Sequence, residues 1–251
     1  VARRINTAQE IKAMRESGKI LAAILTKLKA DITPGMSGID ISDITKKELK
    51  SYGVESPFLG YQGFPDVICI SVNDQVQHCI PSRNIIQTGD LVNLDFGVKF
   101  KGMITDSGLT FVVGRDPSEE QLRLLKGTEE ALSAAIKMVK DGARIKKISK
   151  KIESVLKDYK LGIVRDLVGH GVGVELHEEP EIPNYHIPGY DYTLRTGMTI
   201  AIEPITTLGS ESLKFSDNGW DIYTADGSLS AQFEHTLLVL DDGCEVLTAR
   251  G

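Results

Sequence analysis

Apolar residues recur at helical spacing near the start of the chain. Ile11, Met14, Leu21, Leu25 and Leu28 share one stripe behind Thr7-Ala8-Gln9-Glu10, which has the form of a capping box. That helix is expected to stop before Thr33-Pro34-Gly35, and a second fits residues 39–52, closed by Gly53. Apolar or alternating runs at 67–72, 91–96 and 104–113 predict strands. The programme then repeats: a helix at 118–139 opened by Ser118-Glu119-Glu120-Gln121, another at 145–159, and strands near 164–168, 199–202 and 229–240.

The repetition extends to the letters. Thr88-Gly89-Asp90-Leu91-Val92-Asn93-Leu94-Asp95 aligns with Thr196-Gly197-Met198-Thr199-Ile200-Ala201-Ile202-Glu203 at an offset of 108, which sets Asp95 opposite Glu203. With a further insertion Asp106 falls opposite Glu234, each leading into a strand. Two like halves, about residues 1–115 and 116–251, are expected to form a single catalytic domain with a seam between them, and sites form at seams.

Four carboxylates would meet at that seam. A hairpin turn at Lys99-Phe100-Lys101-Gly102, centred between Phe100 and Lys101, would place Asp95 directly opposite Asp106. Like charges so placed are destabilising unless a cation lies between them. Asp95 sits within an apolar run, Glu203 ends one and Glu234 heads into another, so solvent is a poor destination for any of the three. A lone carboxylate in such a place reads as a structural salt bridge; four together do not.

His170 lies in Gly169-His170-Gly171, read as a flexible loop whose backbone can approach an ion, and His177 follows before Glu178-Glu179-Pro180. His235 is expected on the strand face opposite Glu234, and His186 has no assigned role. One divalent ion would leave the four carboxylates with a surplus of two charges, whereas two ions balance them. Oxygen-rich ligation with one imidazole suits Mn²⁺, Fe²⁺, Co²⁺ or Zn²⁺. Two such ions, about 3.5–4 Å apart, can activate a shared water at neutral pH.

Composition narrows the classes. The 251 residues are 41% hydrophobic and 25% charged, as in a globular protein, and the formal net charge of −6 argues against specific nucleic acid as the ligand. The basic run at 144–151 reads as a solvated helix face. Cys69, Cys79 and Cys244 form no disulfide framework and read as reduced thiols. No stretch is long enough to span a membrane, and the Val1-Ala2-Arg3-Arg4 start carries no apolar signal core, so a cytoplasmic location is expected.

Taken together, Val76-Gln77-His78-Cys79-Ile80-Pro81, Asn93-Leu94-Asp95, Asp106-Ser107, Gly169-His170-Gly171, His177-Glu178-Glu179-Pro180, Ile202-Glu203-Pro204 and Gln232-Phe233-Glu234-His235-Thr236 resemble the methionine aminopeptidase family over nearly the whole chain. The resemblance implies an α+β pita-bread (creatinase/aminopeptidase) fold: two pseudo-symmetric halves with antiparallel sheet covered by helices. It implies a monomeric hydrolase that removes the initiator methionine ahead of a small second residue. Asp95, Asp106, His170, Glu203 and Glu234 would hold two divalent metal ions, with Asp106 and Glu234 bridging. His78, His177 and Glu203 would be catalytic, and the Met side chain would meet Phe58, Tyr61, Phe64, Cys69, Leu176 and Trp220. A monovalent cation near Asn73, Gln75 and Ser230, and transient association with ribosomes, are further implications.

Two positions depart from the family pattern: Cys79 where Gly is usual, and Phe64 where Tyr is usual. Cys79 is expected either to narrow the entrance or to offer a reactive thiol. The absence of an extension or a large insertion between His177 and Glu203 fits the simple bacterial type. The rival readings are an Xaa-Pro peptidase of the same fold and a non-catalytic pita-bread binding protein.

Overall fold

A computed structural model describes residues 7–250; the reading of the Val1-Ala2-Arg3-Arg4 start lies outside them. The first half runs α1 (Ala8–Asp31), α2 (Gly38–Tyr52), β1 (Cys69–Val72), β2 (Leu91–Phe100) and β3 (Met103–Val112). The second opens with α3 (Glu119–Ile136) and α4 (Ile145–Asp158). Its strands are β4 (Gly162–Ile163), β5 (Gly169–Gly171), β6 (Glu178–Ile182), β7 (Thr199–Ile202), β8 (Ile205–Thr207), β9 (Leu213–Phe215), β10 (Ile222–Thr224), β11 (Ser230–Gln232), β12 (His235–Leu240) and β13 (Gly243–Val246).

Local chemistry sets the helix ends. Thr7 and Glu10 exchange side-chain and backbone bonds at the start of α1, Ser37 and Asp40 do so at α2, and Ser118 and Gln121 at α3. Gly53 closes α2 in the left-handed conformation at φ 65°.

Every strand pair is antiparallel. The first half holds β1-β2-β3; the second holds β13-β12-β7-β5-β6, with smaller sheets β11-β8-β4 and β10-β9. α1 packs on β2 and β3, while β11 and β12 of the second half reach across to β3. One apolar cluster runs through both halves, from Leu25, Phe96 and Leu109 to Ile152, Ile200 and Leu237.

Three expectations need correction. The β2–β3 register pairs Phe100 with Met103, so Asp95 faces Gly108 and Asp106 faces Gly97, two residues from the expected pairing. The turn is Lys101-Gly102, with φ of 49° and 82°, because the type I′ loop that suits strand twist needs positive φ at both central positions and Gly meets that at least cost. A slip of two preserves the face, so both aspartates still project from the same side of the sheet. The strand expected at 164–168 is absent; β4 ends at Ile163, and beyond it Val164 N–H donates to Ile205 O at 3.1 Å. The expected strand at 229–240 is two strands, broken at Phe233 and Glu234.

Candidate metal centre and active site

The seam is stitched by hydroxyls that grip backbone across it. Thr236 Oγ1 accepts from Asp106 N–H at 2.8 Å and donates to Asp106 O at 2.7 Å. Reciprocally, Thr110 Oγ1 accepts from Gln232 N–H at 3.0 Å and donates to Gln232 O at 2.7 Å. Ser107 Oγ donates to Glu234 O at 2.7 Å, and Glu234 N–H to Gly108 O at 3.0 Å. Asp106 and Glu234, from different halves, are thereby fixed by their main chains before their carboxylates meet.

Asp95, Asp106, Glu203 and Glu234 are each 4% exposed or less, and His170 is 6% exposed. Ligand atoms of Asp106, His170 and Glu234 lie within 4.8 Å of one another, and His170 Nε2 is 3.5 Å from Glu203 Oε1. Gln77 Nε2 donates to Asp95 Oδ2 at 2.8 Å and to Glu203 Oε2 at 3.0 Å. On the other side Asn93 Nδ2 donates to Gln232 Oε1 at 2.8 Å, and Gln232 Nε2 to Glu234 Oε2 at 3.1 Å. Gly108 makes room for that amide, since a Cβ there would collide with the Gln232 side chain.

His170 lies in strand β5, against the expectation of a flexible loop. Its glycine neighbours serve close packing: a Cβ on Gly169 would strike the carbonyl of Ala201, and one on Gly171 that of Glu179. His170 Nδ1 bonds to Gly171 O at 2.9 Å, so that nitrogen carries the proton and Nε2 turns a lone pair toward the carboxylates.

Burial raises all four carboxyls: Asp95 to about 6, Glu203 to about 8, Asp106 and Glu234 well above the ordinary range, with mutual repulsion adding to the last three. Burial also lowers His170 to about 3 and His78 to about 4, each helped by His177, so both imidazoles are neutral at pH 7. Asp95 Oδ1 and Asp106 Oδ1 are buried with no partner among the described residues. Orphaned carboxylate oxygens, an imidazole lone pair and clustered negative charge fit divalent cations of the oxygen- and nitrogen-preferring kind.

One cavity of about 210 Å³ joins this cluster to an apolar end. It is lined by the five candidate metal-site residues, by His78 and His177, and by Phe58, Tyr61, Phe64, Cys69, Leu176 and Trp220, all of which the sequence had singled out. Phe64 packs edge-on against both Phe58 and Trp220, with ring centroids 6.4 and 4.9 Å away. His177 stands at the mouth, open to solvent on one side, its basicity lowered by the protein packed on the other. Its Nδ1 is 2.7 Å from Tyr61 Oη and its ring centroid 4.2 Å from that of His170. His78 holds a left-handed backbone at φ 61°, uncommon for a side chain other than Gly.

Gln62 and Gln77 also line the cavity and were not singled out as site residues. A signal for Gln77 was present: an amide between Val76 and His78 in a segment otherwise rich in site residues. Cys79 is fully buried outside the lining, its thiol against the carbonyls of Gln77 and Ile222 and pushed up to about 12, so it neither narrows the entrance nor offers a reactive thiol. His235 bonds Thr248 outside the cavity, as expected for the opposite strand face. Asn73, Gln75 and Ser230 lie together beyond the cavity, where Ser230 N–H donates to Asn73 O at 2.9 Å. No described helix is long and apolar enough to cross a membrane.

The model of metallopeptidase family M24 matches residues 12–241, and the chain belongs to that family. A methionine aminopeptidase of Mycoplasma capricolum subsp. capricolum is 41% identical over 244 residues, 97% of each chain. The crystal structure of methionine aminopeptidase from Thermotoga maritima superposes with a TM-score of 0.95 at 38% identity, covering 100% of both chains. The prolidase from Pyrococcus furiosus shares the fold more distantly, with a TM-score of 0.80 and 25% identity, and this chain covers 66% of it. The fold is thus the α+β pita-bread arrangement of these enzymes.

Proposed function

We propose that this chain is a methionyl aminopeptidase that hydrolyses the first peptide bond of polypeptides beginning with Met. The observation that carries the reading is a single cavity in which four buried carboxylates and His170 adjoin an aromatic and apolar end. An unbranched thioether suits such walls. Full-length similarity to methionine aminopeptidases, against partial coverage of a prolidase, favours Met over Xaa-Pro substrates.

Asp95, Asp106, His170, Glu203 and Glu234 would hold two divalent ions. Bound there, the ions supply Lewis acidity toward a carbonyl and a water nucleophile at neutral pH. Tyr61 donates to His177 Nδ1, which leaves the proton on Nε2; that N–H stabilises the oxyanion as the scissile carbonyl is attacked. Glu203 takes the proton from the water and passes it to the leaving amine. His78 hydrogen-bonds near the leaving nitrogen or the second residue, and likeness to the methionine aminopeptidases favours a small side chain there. Asn73, Gln75 and Ser230 would hold a monovalent cation.

The two halves act as one catalytic domain, monomeric and cytoplasmic, on nascent chains met during transient ribosome association. The test is hydrolysis of Met-Ala-Ser and Ala-Pro peptides by chelated protein resupplied with Mn²⁺, Co²⁺, Fe²⁺ or Zn²⁺. Metal-dependent release of Met from the first peptide alone is expected. Cleavage of the Ala-Pro peptide in preference would transfer the chain to the proline-directed class, and no hydrolysis with any ion would overturn an enzymatic reading.

A further inference from the structure

We propose that Gln77 is a positioning residue that clamps one carboxylate from each half and so fixes how Asp95 and Glu203 face the metal centre. The inference rests on the metal reading above and assigns a role to a side chain which that reading leaves unused.

One nitrogen carries the clamp. Gln77 Nε2 has two protons, and it lies 2.8 Å from Asp95 Oδ2 and 3.0 Å from Glu203 Oε2, on side chains 108 residues apart in the chain. The amide orientation follows from chemistry, since Oε1 in that place would set an acceptor against two carboxylates. With both protons committed, Asp95 Oδ1 remains without a partner and Glu203 Oε1 remains 3.5 Å from His170 Nε2. Gln77 thus holds one oxygen of each carboxylate and leaves the other outside its hydrogen bonds.

The clamp carries a cost that a structural amide would avoid. Gln77 is 2% exposed, and its Oε1 is buried with no hydrogen-bond partner among the described residues. Gln232, which holds Glu234 in the corresponding way, has its oxygen satisfied by Asn93. A side chain kept for its donors despite an orphaned acceptor serves the groups it donates to. Partners of metal ligands fix ligand orientation, and their loss typically weakens metal binding about 10–100-fold.

The test compares Mn²⁺ binding by calorimetry, with Mn²⁺ electron paramagnetic resonance, in the full chain and in Gln77→Met, a variant close in volume without donors. A second variant, Gln77→Asn, keeps the amide but shortens its reach. Both are expected to bind Mn²⁺ about 10–100-fold more weakly, with an altered resonance spectrum and an unchanged metal-free circular dichroism spectrum. A merely structural role would instead lower the metal-free melting temperature and leave affinity and spectrum as in the parent chain. Parental affinity in either folded variant overturns the role of Gln77 alone, whereas a parent chain that takes up no Mn²⁺ overturns the metal reading and this inference with it.

Discussion

Glu203 offers a direct test of the electrostatics at the seam through Glu203→Gln in chelator-stripped protein. Burial, with repulsion from Asp95 adding to it, raises the Glu203 carboxyl from an ordinary 4.5 to about 8. The sign follows from which form the fold prefers. The folded chain favours the protonated acid, so the contribution to stability is full below about pH 4.5 and is lost as the pH climbs through about 8. A gap of about 3.5 between those values corresponds to about 5 kcal/mol at about 1.4 kcal/mol per pH unit. For a chain of this size that amounts to about 10–20 °C in melting temperature. Gln cannot ionise, so the variant escapes the loss.

Thermal unfolding of both chains from pH 5 to pH 9 without metal is the assay. The two should melt within a few degrees of each other at pH 5, and the variant should melt higher by about 10–20 °C at pH 9. Added Mn²⁺ should remove the deficit of the parent chain, because the cation replaces the proton as partner of the carboxylate. A difference between the two chains that does not change with pH would refute the reasoning.

Three further outcomes are expected. His177→Asn should lower kcat on Met-Ala-Ser about 10²–10³-fold while metal content stays unchanged, as measured by steady-state kinetics and elemental analysis. Phe64→Ala should raise KM for that peptide more than it lowers kcat, reducing kcat/KM about 10–200-fold as the apolar end opens. Thr236→Val strips both bonds from the buried main chain of Asp106; it should cost about 1–3 kcal/mol and lower the melting temperature by about 2–12 °C.

The site was more legible in the sequence than the strands that carry it. The gathering of Asp95, Glu203 and Glu234 was legible because a carboxylate in or beside an apolar run needs a partner, while the hairpin and the internal repeat added Asp106. The hairpin register differs by two from the expected one because Lys101 is central to either loop, and the choice turns on its partner: Gly102 takes a φ of 82° without the steric penalty that Phe100 would meet. The glycines around His170 read as flexibility, yet they are required by carbonyls of Ala201 and Glu179, residues distant in the chain or beyond local pattern. Val164 continues an apolar run without continuing the strand: it keeps one bond, to Ile205 O, and β4 ends at Ile163. Gln77 carries no such carboxylate signal, because an amide bears no charge, and its place between two carboxylates appears only in the distances.

Anomalous diffraction from crystals of the full chain grown with Mn²⁺ tests the central claim most directly. Two separate peaks should stand among Asp95, Asp106, His170, Glu203 and Glu234, with Asp106 and Glu234 in contact with both. A single peak, or none within that ring of side chains, would contradict a binuclear centre built from both halves.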